Sequence, residues 1–236
     1  MQNSIPPLGS PGTPAEAEVR ADIVAAMRDL LRLGLSQGTS GNVSVRFGDG
    51  FLVTPSGIPA ETLRPENIVA MTWEGEHSHP LSPSSEWRFH RDILAARPEI
   101  GAVVHAHPTY CTAFAICGRE IPAVHYMIAA VGGPTIRCAP YAPYGTQELS
   151  TSALAALEGR TGCLLANHGM IACAIDLQKA LWIAVEMEAL CRQYAVALQV
   201  GAPVILSDDE IWRTVERFRS YGPRPQANNS EYLSPS

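Results

Sequence analysis

The sequence predicts a single α/β domain. At 236 residues the chain has the size of one ordinary domain, and it shows neither an internal repeat nor an interior linker. Some segments carry apolar residues at helical spacing, whereas others are short β-branched runs, so helices and strands are mixed along the chain. A hydrophobic content of 46% with a charged content of 17% is typical of a chain that folds around a core.

The first half of the chain is predicted to contain three helices and three strands. A capping box at 13–16, with proline at the first helical position, starts the first helix, and Gly34 ends it. A second helix covers 85–97, with Ser84 as its cap and Pro98 beyond its end. The remaining predicted elements are strands at 43–45, at 51–54 and up to His107, and a short helix at 109–116.

The second half continues the mixed pattern. Strands are predicted at 123–126, 135–139, 163–166 and 170–174, and helices at 148–157, 176–200 and 207–219. Residues 1–12 and 222–236 are rich in proline and small polar residues. We therefore expect a disordered N-terminal segment, a single domain over residues 13–221 and a flexible C-terminal tail.

Charge and composition exclude several classes of function. The net charge of −6, without a cluster of basic residues, argues against nucleic-acid binding. The N-terminal residues do not resemble a signal peptide, and no apolar stretch approaches the ~20 residues that cross a bilayer. Six cysteines without a CxxC pair are typical of thiols in a reducing compartment. We therefore expect a cytoplasmic protein with neither a membrane nor a nucleic-acid partner.

Two histidines that alternate along a predicted strand form the strongest functional signal. His105 and His107 end a β-branched run, and alternate side chains of a strand share one face. His168 follows another apolar run and offers a third nitrogen. Three histidines leave one coordination position open, as in catalytic zinc sites, so the sequence predicts a Zn²⁺ enzyme.

The other histidines are interpreted as ordinary residues. His77 and His79 also alternate, but they lie in a polar loop with no strand to fix them, so we expect both to be solvent-exposed. His90 lies within a predicted helix and His125 precedes a tyrosine, and a structural role is the simpler interpretation for each.

Three short segments of small residues are candidates for binding a phosphate. They are 38–42, Ser56-Gly57 and Ser84-Ser85. The serine pair lies at a predicted helix N-terminus, where unpaired N–H groups favour an anion. Ordinary turn and capping chemistry explains each segment equally well, so the sequence alone leaves this open. Glu86 follows directly and, next to zinc, becomes a candidate for proton transfer at a carbon beside a carbonyl.

Three known classes of zinc protein contain an HxH pair, and none of them fits this chain well. Metallo-β-lactamase-like hydrolases place Asp two residues after the pair, where Thr109 stands here. Amidohydrolases need a complete (β/α)₈ barrel, for which 236 residues is short. Cupins are all-β, whereas this chain has clear helices. Phosphate-loop and dinucleotide motifs are absent from the sequence, so nucleotide binding has no support.

The motifs taken together resemble the class II aldolase/adducin family. The resemblance runs from about Val19 to Tyr221, and the matching segments are 38–46, 54–59, 84–90, 105–107, 121–130 and 167–169. It implies a three-layer α/β/α fold around a mostly antiparallel central sheet. It also implies a homotetramer with active sites at subunit interfaces, and zinc-dependent cleavage of a ketose 1-phosphate to dihydroxyacetone phosphate and an aldehyde. L-Fuculose 1-phosphate, which gives L-lactaldehyde, is the first expected substrate.

The resemblance also implies a role for each matching residue. Glu86 would be the catalytic acid/base and Tyr126, from a neighbouring subunit, would handle a hydroxyl proton. Zn²⁺ would be held by His105, His107 and His168, with Glu86 as the fourth ligand in the resting state. The phosphate would be bound by Thr39, Asn42, Ser56, Gly57, Ser84 and Ser85. The aldehyde end would be lined by Tyr144, Phe218 and Tyr221.

Two departures from the family pattern keep alternatives open. Ser56 stands where threonine is familiar, and Tyr144 replaces a phenylalanine, so 5-deoxyribulose or methylthioribulose 1-phosphate competes as substrate. A pentulose-phosphate epimerase or a β-keto acid decarboxylase is a further alternative, although such epimerases typically carry Asp near the position of Glu86. The non-enzymatic alternative is an adducin-head-like interaction module, which has no need of the three histidines.

Overall fold

A computed structural model describes residues 14–219 of the chain. The predicted terminal segments, together with Thr13 and Tyr221, lie outside these residues, and their boundaries stay predictions. The helices are α1 (Pro14–Arg32), α2 (Trp87–Ala96), α3 (Thr109–Ile116), α4 (Gln147–Ala156), α5 (Leu177–Val200) and α6 (Asp208–Arg219). The strands are β1 (Asn42–Phe47), β2 (Gly50–Val53), β3 (Val69–Thr72), β4 (Ala102–Ala106), β5 (Cys138–Ala139), β6 (Gly162–Leu165) and β7 (Gly169–Ala174).

The strands form one mixed sheet in the order β3-β2-β1-β4-β7-β6-β5. Every neighbouring pair is antiparallel except β5 and β6, which are parallel. The expectation of a mostly antiparallel sheet is therefore confirmed, with one parallel pair at the edge. β4, which carries the HxH pair, lies in the middle of the sheet between β1 and β7.

Helices cover both faces of the sheet, which gives the three layers implied by the resemblance. Along β4, Val104 packs into a cluster with α1, α3 and α5, whereas Val103 packs into a second cluster with α2 and α4. Because side chains alternate across a strand, both faces of β4 are buried. His105 shares the face of Val103, and its ring lies 5.3 Å from that of Phe89 on α2.

Three predictions about the strands were wrong. Residues 123–126 form no strand; Ile121 makes a single bridge to Ile136, and a 3₁₀ helix then covers Tyr126–Val131. Pro122 has no N–H for a strand ladder, and its carbonyl accepts instead from the N–H of Val124 (2.7 Å). The strand at 135–139 is reduced to β5. β3 was missed, although its alternating burial is the ordinary pattern of an edge strand.

The start of α2 also differs from the prediction. The helix begins at Trp87 with Glu86 at its N-cap position, two residues later than predicted. Ser84 still belongs to the extended segment before the helix, because its backbone N–H donates to the Thr54 carbonyl (2.9 Å), next to a β-bridge between Pro55 and Pro83. Glu86 therefore stands at the helix end, where its side chain turns inward.

Two expectations about the chain as a whole can be compared with the described residues. Within 14–219, no helix has the length and apolar character needed to cross a membrane. The six cysteines are unpaired, and four of them are buried. Cys117 is exposed and Cys138 is half-buried, so the six free thiols do not share one environment.

Candidate metal centre and active site

Two separate parts of the sheet bring the three histidines together. His105 lies within β4 and His107 just beyond its end, whereas His168 lies in the turn between β6 and β7. Because β7 pairs with β4, this turn reaches the end of β4 at which the HxH pair lies. One ring nitrogen from each histidine lies within 4.8 Å of the others. The structure thus places the three predicted ligands in one cluster.

The hydrogen bonds of these rings fit a shared cation. His105 Nδ1 lies 2.9 Å from the carbonyl oxygen of Met170, which can only accept, so Nδ1 carries a hydrogen and Nε2 faces the cluster. That Nε2 lies 2.9 Å from Nε2 of His107. Burial, with the charges of His105 and His168, lowers the pKa of His107 to about 4, so at neutral pH this ring is an uncharged ligand. Three imidazole nitrogens are a donor set that suits Zn²⁺.

Glu86 completes the cluster from the N-terminus of α2. Its Oε2 lies 3.2 Å from His105 Nε2, and its Oε1 lies 3.2 Å from His168 Nε2. Oε1 is buried and faces His168, so the carboxylate lies against the same ring nitrogens that a shared cation would contact. Burial alone would raise the pKa of Glu86, but the charges and hydrogen bonds of His105 and His168 outweigh it and hold the pKa well below its usual range. The carboxylate is therefore ionised.

A buried chain of polar side chains holds Glu86 from behind. Asn42 Nδ2 donates to Glu86 Oε2 (2.9 Å), and Asn42 Oδ1 lies 2.5 Å from Nε2 of His90. The other ring nitrogen of His90, Nδ1, lies 2.7 Å from the hydroxyl of Ser44. His90, interpreted from the sequence as a structural residue of a helix, lies on α2 and is fully buried. Asn42 contacts the carboxylate directly, a contact that sequence reasoning missed.

The serine segments predicted to bind phosphate lie side by side. The Ser56 N–H donates to the Ser82 carbonyl (3.0 Å), which brings Ser56-Gly57 next to the segment that ends at Ser84-Ser85. Ser56, Gly57 and Ser85 are exposed, whereas Ser84 is buried and accepts from the Glu86 N–H (3.3 Å). Two strand ends and the start of α2 thus present hydroxyl and N–H groups close to Glu86.

Thr39 lies in an exposed turn before β1. The Ser40 N–H closes this turn on the Gln37 carbonyl (3.0 Å). The chain then passes directly against β4, because a Cβ added to Gly41 would lie 3.0 Å from the His105 carbonyl oxygen. The turn therefore leads straight into Asn42.

A cavity of about 340 Å³ opens in front of the cluster. Tyr144, predicted at the aldehyde end, lines it and is 72% exposed. Tyr141 lines it as well and was missed, although it stands three residues before Tyr144 in the same proline-rich loop. The remaining lining residues are Ser85, Glu86, His107, Ala142, Asn167 and His168. The cavity offers aromatic faces opposite charged and ligating groups.

Tyr126 and Phe218 lie elsewhere on the subunit. Both line a separate cavity of about 780 Å³ beside the start of α5, and Tyr126 is half-exposed. His125 accepts from the Met127 N–H (3.2 Å) and caps the 3₁₀ helix, in agreement with a structural role. Within one subunit, the structure therefore does not bring Tyr126 to Glu86.

The second HxH pair was expected to be wholly exposed, and this is correct only in part. His77 is exposed, but His79 is half-buried, and its ring bonds the Glu66 carbonyl (2.9 Å) and the Leu81 N–H (3.1 Å). Among the described residues, neither histidine joins a group that could hold a metal.

Comparisons with known proteins agree with this site. The family model described as Class II Aldolase and Adducin N-terminal domain matches residues 21–195. A 5-methylthioribulose-1-phosphate/5-deoxyribulose-1-phosphate aldolase of Rhodospirillum rubrum is 53% identical, over 88% of this chain and 94% of its own length. An L-fuculose phosphate aldolase of Escherichia coli K12 is 51% identical, over 86% of this chain and 94% of its own length.

The fold comparison leads to the same family. A solved structure of an L-fuculose 1-phosphate aldolase superposes with a TM-score of 0.84 at 37% identity, covering 90% of this chain and 98% of its own. The resemblance noted in the sequence and the prediction of an aldehyde-lyase are therefore confirmed. The chain belongs to the class II aldolase and adducin N-terminal domain family.

Proposed function

We propose that this chain is a zinc-dependent aldolase that cleaves a ketose 1-phosphate reversibly to dihydroxyacetone phosphate and an aldehyde. The observation that carries the proposal is the buried, ionised Glu86 beside three clustered histidines, with a cavity in front of them. Named relatives at 53% and 51% identity are aldolases for such phosphates, which supports the same reaction class here. The free thiols are compatible with the proposed cytoplasmic location.

Zinc binding is assigned to His105, His107 and His168, with Glu86 as the resting fourth ligand. Bound there, Zn²⁺ would supply a Lewis acid that stabilises the negative charge formed on the substrate oxygens when the carbon–carbon bond breaks. The chain's own contribution is Glu86, which returns a proton to the carbon of dihydroxyacetone phosphate once the aldehyde has separated. Glu86 lines the cavity in front of the histidines, where that carbon would lie.

The phosphate is assigned to the small-residue segments beside Glu86. Ser56, Gly57, Ser84 and Ser85 would donate from two adjacent backbone stretches, and Thr39 and Asn42 would complete the cradle. The N-terminus of α2 adds its unpaired N–H groups, which favour an anion. Because the phosphate lies at one end of the substrate, this contact orients the bond that breaks.

The catalytic tyrosine is assigned to a neighbouring subunit of a homotetramer. In cleavage, Tyr126 would accept the proton of the hydroxyl that becomes the aldehyde. The exposure of Tyr126, and its place in a cavity apart from Glu86, support a role across an interface. Phe218 and Tyr221 would help close the site from the same region.

L-Fuculose 1-phosphate is the first substrate to test, with two close competitors. The R. rubrum relative acts on 5-methylthioribulose and 5-deoxyribulose 1-phosphates, and its identity of 53% differs little from the 51% of the fuculose relative. The exposed rings of Tyr141 and Tyr144 would meet the aldehyde portion, where the three substrates differ. Selectivity is thus decided at the outer wall of the cavity.

The test is release of dihydroxyacetone phosphate from each of the three substrates, before and after metal removal and Zn²⁺ add-back. We expect release that stops on chelation and returns with zinc. His107→Ala should lose both bound zinc and activity. His77→Ala, a change in the second HxH pair, is the matched control and should keep both. Zinc-independent release, or zinc-loaded protein that releases nothing from any substrate, would contradict the proposal.

A further inference from the structure

One buried group near the site has no part in the proposed chemistry. His90 is fully buried, lies on α2 four residues after Glu86 and contacts side chains of β1 on both of its ring nitrogens. Residues four apart on a helix lie on the same face, so His90 lies directly beneath the carboxylate. Burying an imidazole is costly unless its nitrogens are satisfied, and here both of them are.

The carboxylate of Glu86 determines where the hydrogens lie along the contacts from Glu86 through Asn42 and His90 to Ser44. An ionised carboxylate only accepts, so the Asn42 amide must turn its Nδ2 toward Glu86 and its Oδ1 toward His90. Nε2 of His90 then carries the hydrogen, and its Nδ1 accepts from the hydroxyl of Ser44. Burial, with the charge of His105, lowers the pKa of His90 to about 3, in agreement with this neutral form. If His90 carried its hydrogen on Nδ1 instead, the Asn42 amide would have to turn over, and its oxygen would then face the carboxylate of Glu86.

The chain of contacts ties Glu86 to the strand next to β4. Asn42 begins β1 and pairs across the ladder with His105, a member of the histidine cluster. His90 lies between α2 and β1. It donates to Oδ1 of Asn42, and this bond orients the amide so that its Nδ2 donates to Glu86 Oε2. Asn42 leaves Oε1 of Glu86 to face the histidine cluster, where it lies 3.2 Å from His168 Nε2. One carboxylate oxygen is held by Asn42 while the other faces the site.

We infer that His90 is a positioning residue for Glu86: through Asn42 it holds Oε2, so that Oε1 presents itself to the substrate carbon. This inference rests on the proposed function. In the step concerned, the carboxylate takes a proton from the hydroxymethyl carbon of dihydroxyacetone phosphate, and the C–H electron pair moves toward the carbonyl oxygen. The reverse transfer restores the ketone. In D₂O the acid exchanges its proton with solvent, and the carbon returns with deuterium.

The experiment measures that exchange with zinc-loaded enzyme and dihydroxyacetone phosphate in D₂O, by NMR, without any aldehyde. Two amide variants form a matched pair. In His90→Gln the amide nitrogen reaches the place of Nε2 and keeps the bond to Asn42, whereas in His90→Asn it reaches only the place of Nδ1. Ser150→Ala is the control, since it removes a bond from α2 to α4 through Asp92 without touching Asn42.

We expect His90→Asn to exchange at least about tenfold more slowly, because misplacing a catalytic group by about 1 Å costs up to about 100-fold. KM for dihydroxyacetone phosphate should change less than the exchange rate, since of the groups assigned to the phosphate only Asn42 contacts His90. His90→Gln and Ser150→Ala should stay within about threefold of the wild-type rate. Zinc content per subunit and the thermal midpoint are measured on every variant.

Three results would overturn the inference. Exchange in zinc-replete His90→Asn at the wild-type rate would mean that Glu86 needs no support from His90. An equal fall in His90→Gln and His90→Asn would mean that packing, not the bond to Asn42, matters. If His90→Asn does not fold, His90→Met carries the test, because it fills the space without a donor for Asn42; an undiminished rate there overturns the inference. Failure of the wild-type enzyme itself to exchange would overturn the proposed function as well.

Discussion

The protonation state of His90 makes a prediction about stability that needs no substrate. Burial lowers the pKa of this imidazole from 6.5 to about 3 in the folded chain. The unfolded chain has no such burial, so between pH 6.5 and about 3 it binds a proton at His90 that the folded chain excludes. The unfolded state therefore binds more protons in this window, and His90 makes folding stability rise with pH. The contribution is lost as the pH falls from 6.5 toward 3.

The size of the effect follows from those two pKa values. Each pH unit inside the window is worth about 1.4 kcal/mol for one fully excluded proton. Between pH 7 and pH 5 the unfolded imidazole goes from mostly neutral to almost fully charged, which amounts to about 2 kcal/mol of lost stability. His90→Gln keeps a buried amide at the same place but has no proton to bind. We therefore expect wild type to lose about 2 kcal/mol more than this variant over that range.

The assay is urea unfolding of wild type and His90→Gln at several pH values from 7 to 5, followed by circular dichroism. Excess chelator in every sample removes the contribution of metal release, which also depends on pH. His107 and Glu86 titrate in both proteins and cancel in the comparison. Parallel loss of stability in the two proteins would refute a buried neutral His90, and with it the assigned direction of the hydrogen bond to Asn42.

Other substitutions test the loop beside Glu86, the cap of α3 and the shared site. A Cβ at Gly145, whose φ is +74°, would lie 2.6 Å from the Ser85 carbonyl oxygen. Gly145→Ala should cost ~2 kcal/mol in urea unfolding, and an unchanged midpoint contradicts this close contact. The Glu188 carboxylate accepts from two backbone N–H groups in the first turn of α3. Glu188→Gln should therefore lower the free energy of unfolding by ~1 kcal/mol in the same assay. No change would mean that the charge of Glu188 does not stabilise the helix. Mixed oligomers of Tyr126→Phe and Glu86→Gln subunits should recover part of the aldolase activity that each parent lacks. Verified mixed oligomers without recovery would contradict a site shared between subunits.

Much of the site could be predicted because strand geometry is local. Alternation along β4 puts His105 and His107 on one side wherever the strand lies, so the HxH pair indicated a metal from the sequence alone. The sequence also placed His90 on a helix, but its burial and its two partners are visible only in the structure. Two features were missed although the sequence carried a signal for each. Tyr141 is an aromatic residue close to Tyr144, and β3 is a short run whose residues alternate between buried and half-buried.

Other features depend on contacts between distant segments. The backbone of Ser84 is drawn into a bridge beside Thr54, and α2 consequently starts at Trp87 with Glu86 at its cap. No pattern within 84–97 contains that information. The predicted strand at 123–126 does not form for a similar reason. An apolar run becomes a strand only where a neighbouring strand can exchange backbone hydrogen bonds with it.

The sequence by itself determined the fold class, the family and the three histidines, because residue periodicity and motif order are properties of the chain. Only the tertiary structure decided how Glu86 is held. Asn42, Ser44 and His90 become its support because β1 pairs with β4 while α2 packs across both, and a hydrogen-bonded chain exists only where those elements meet. Burial then fixes the charges, since a group removed from water takes the protonation state that its few remaining neighbours stabilise.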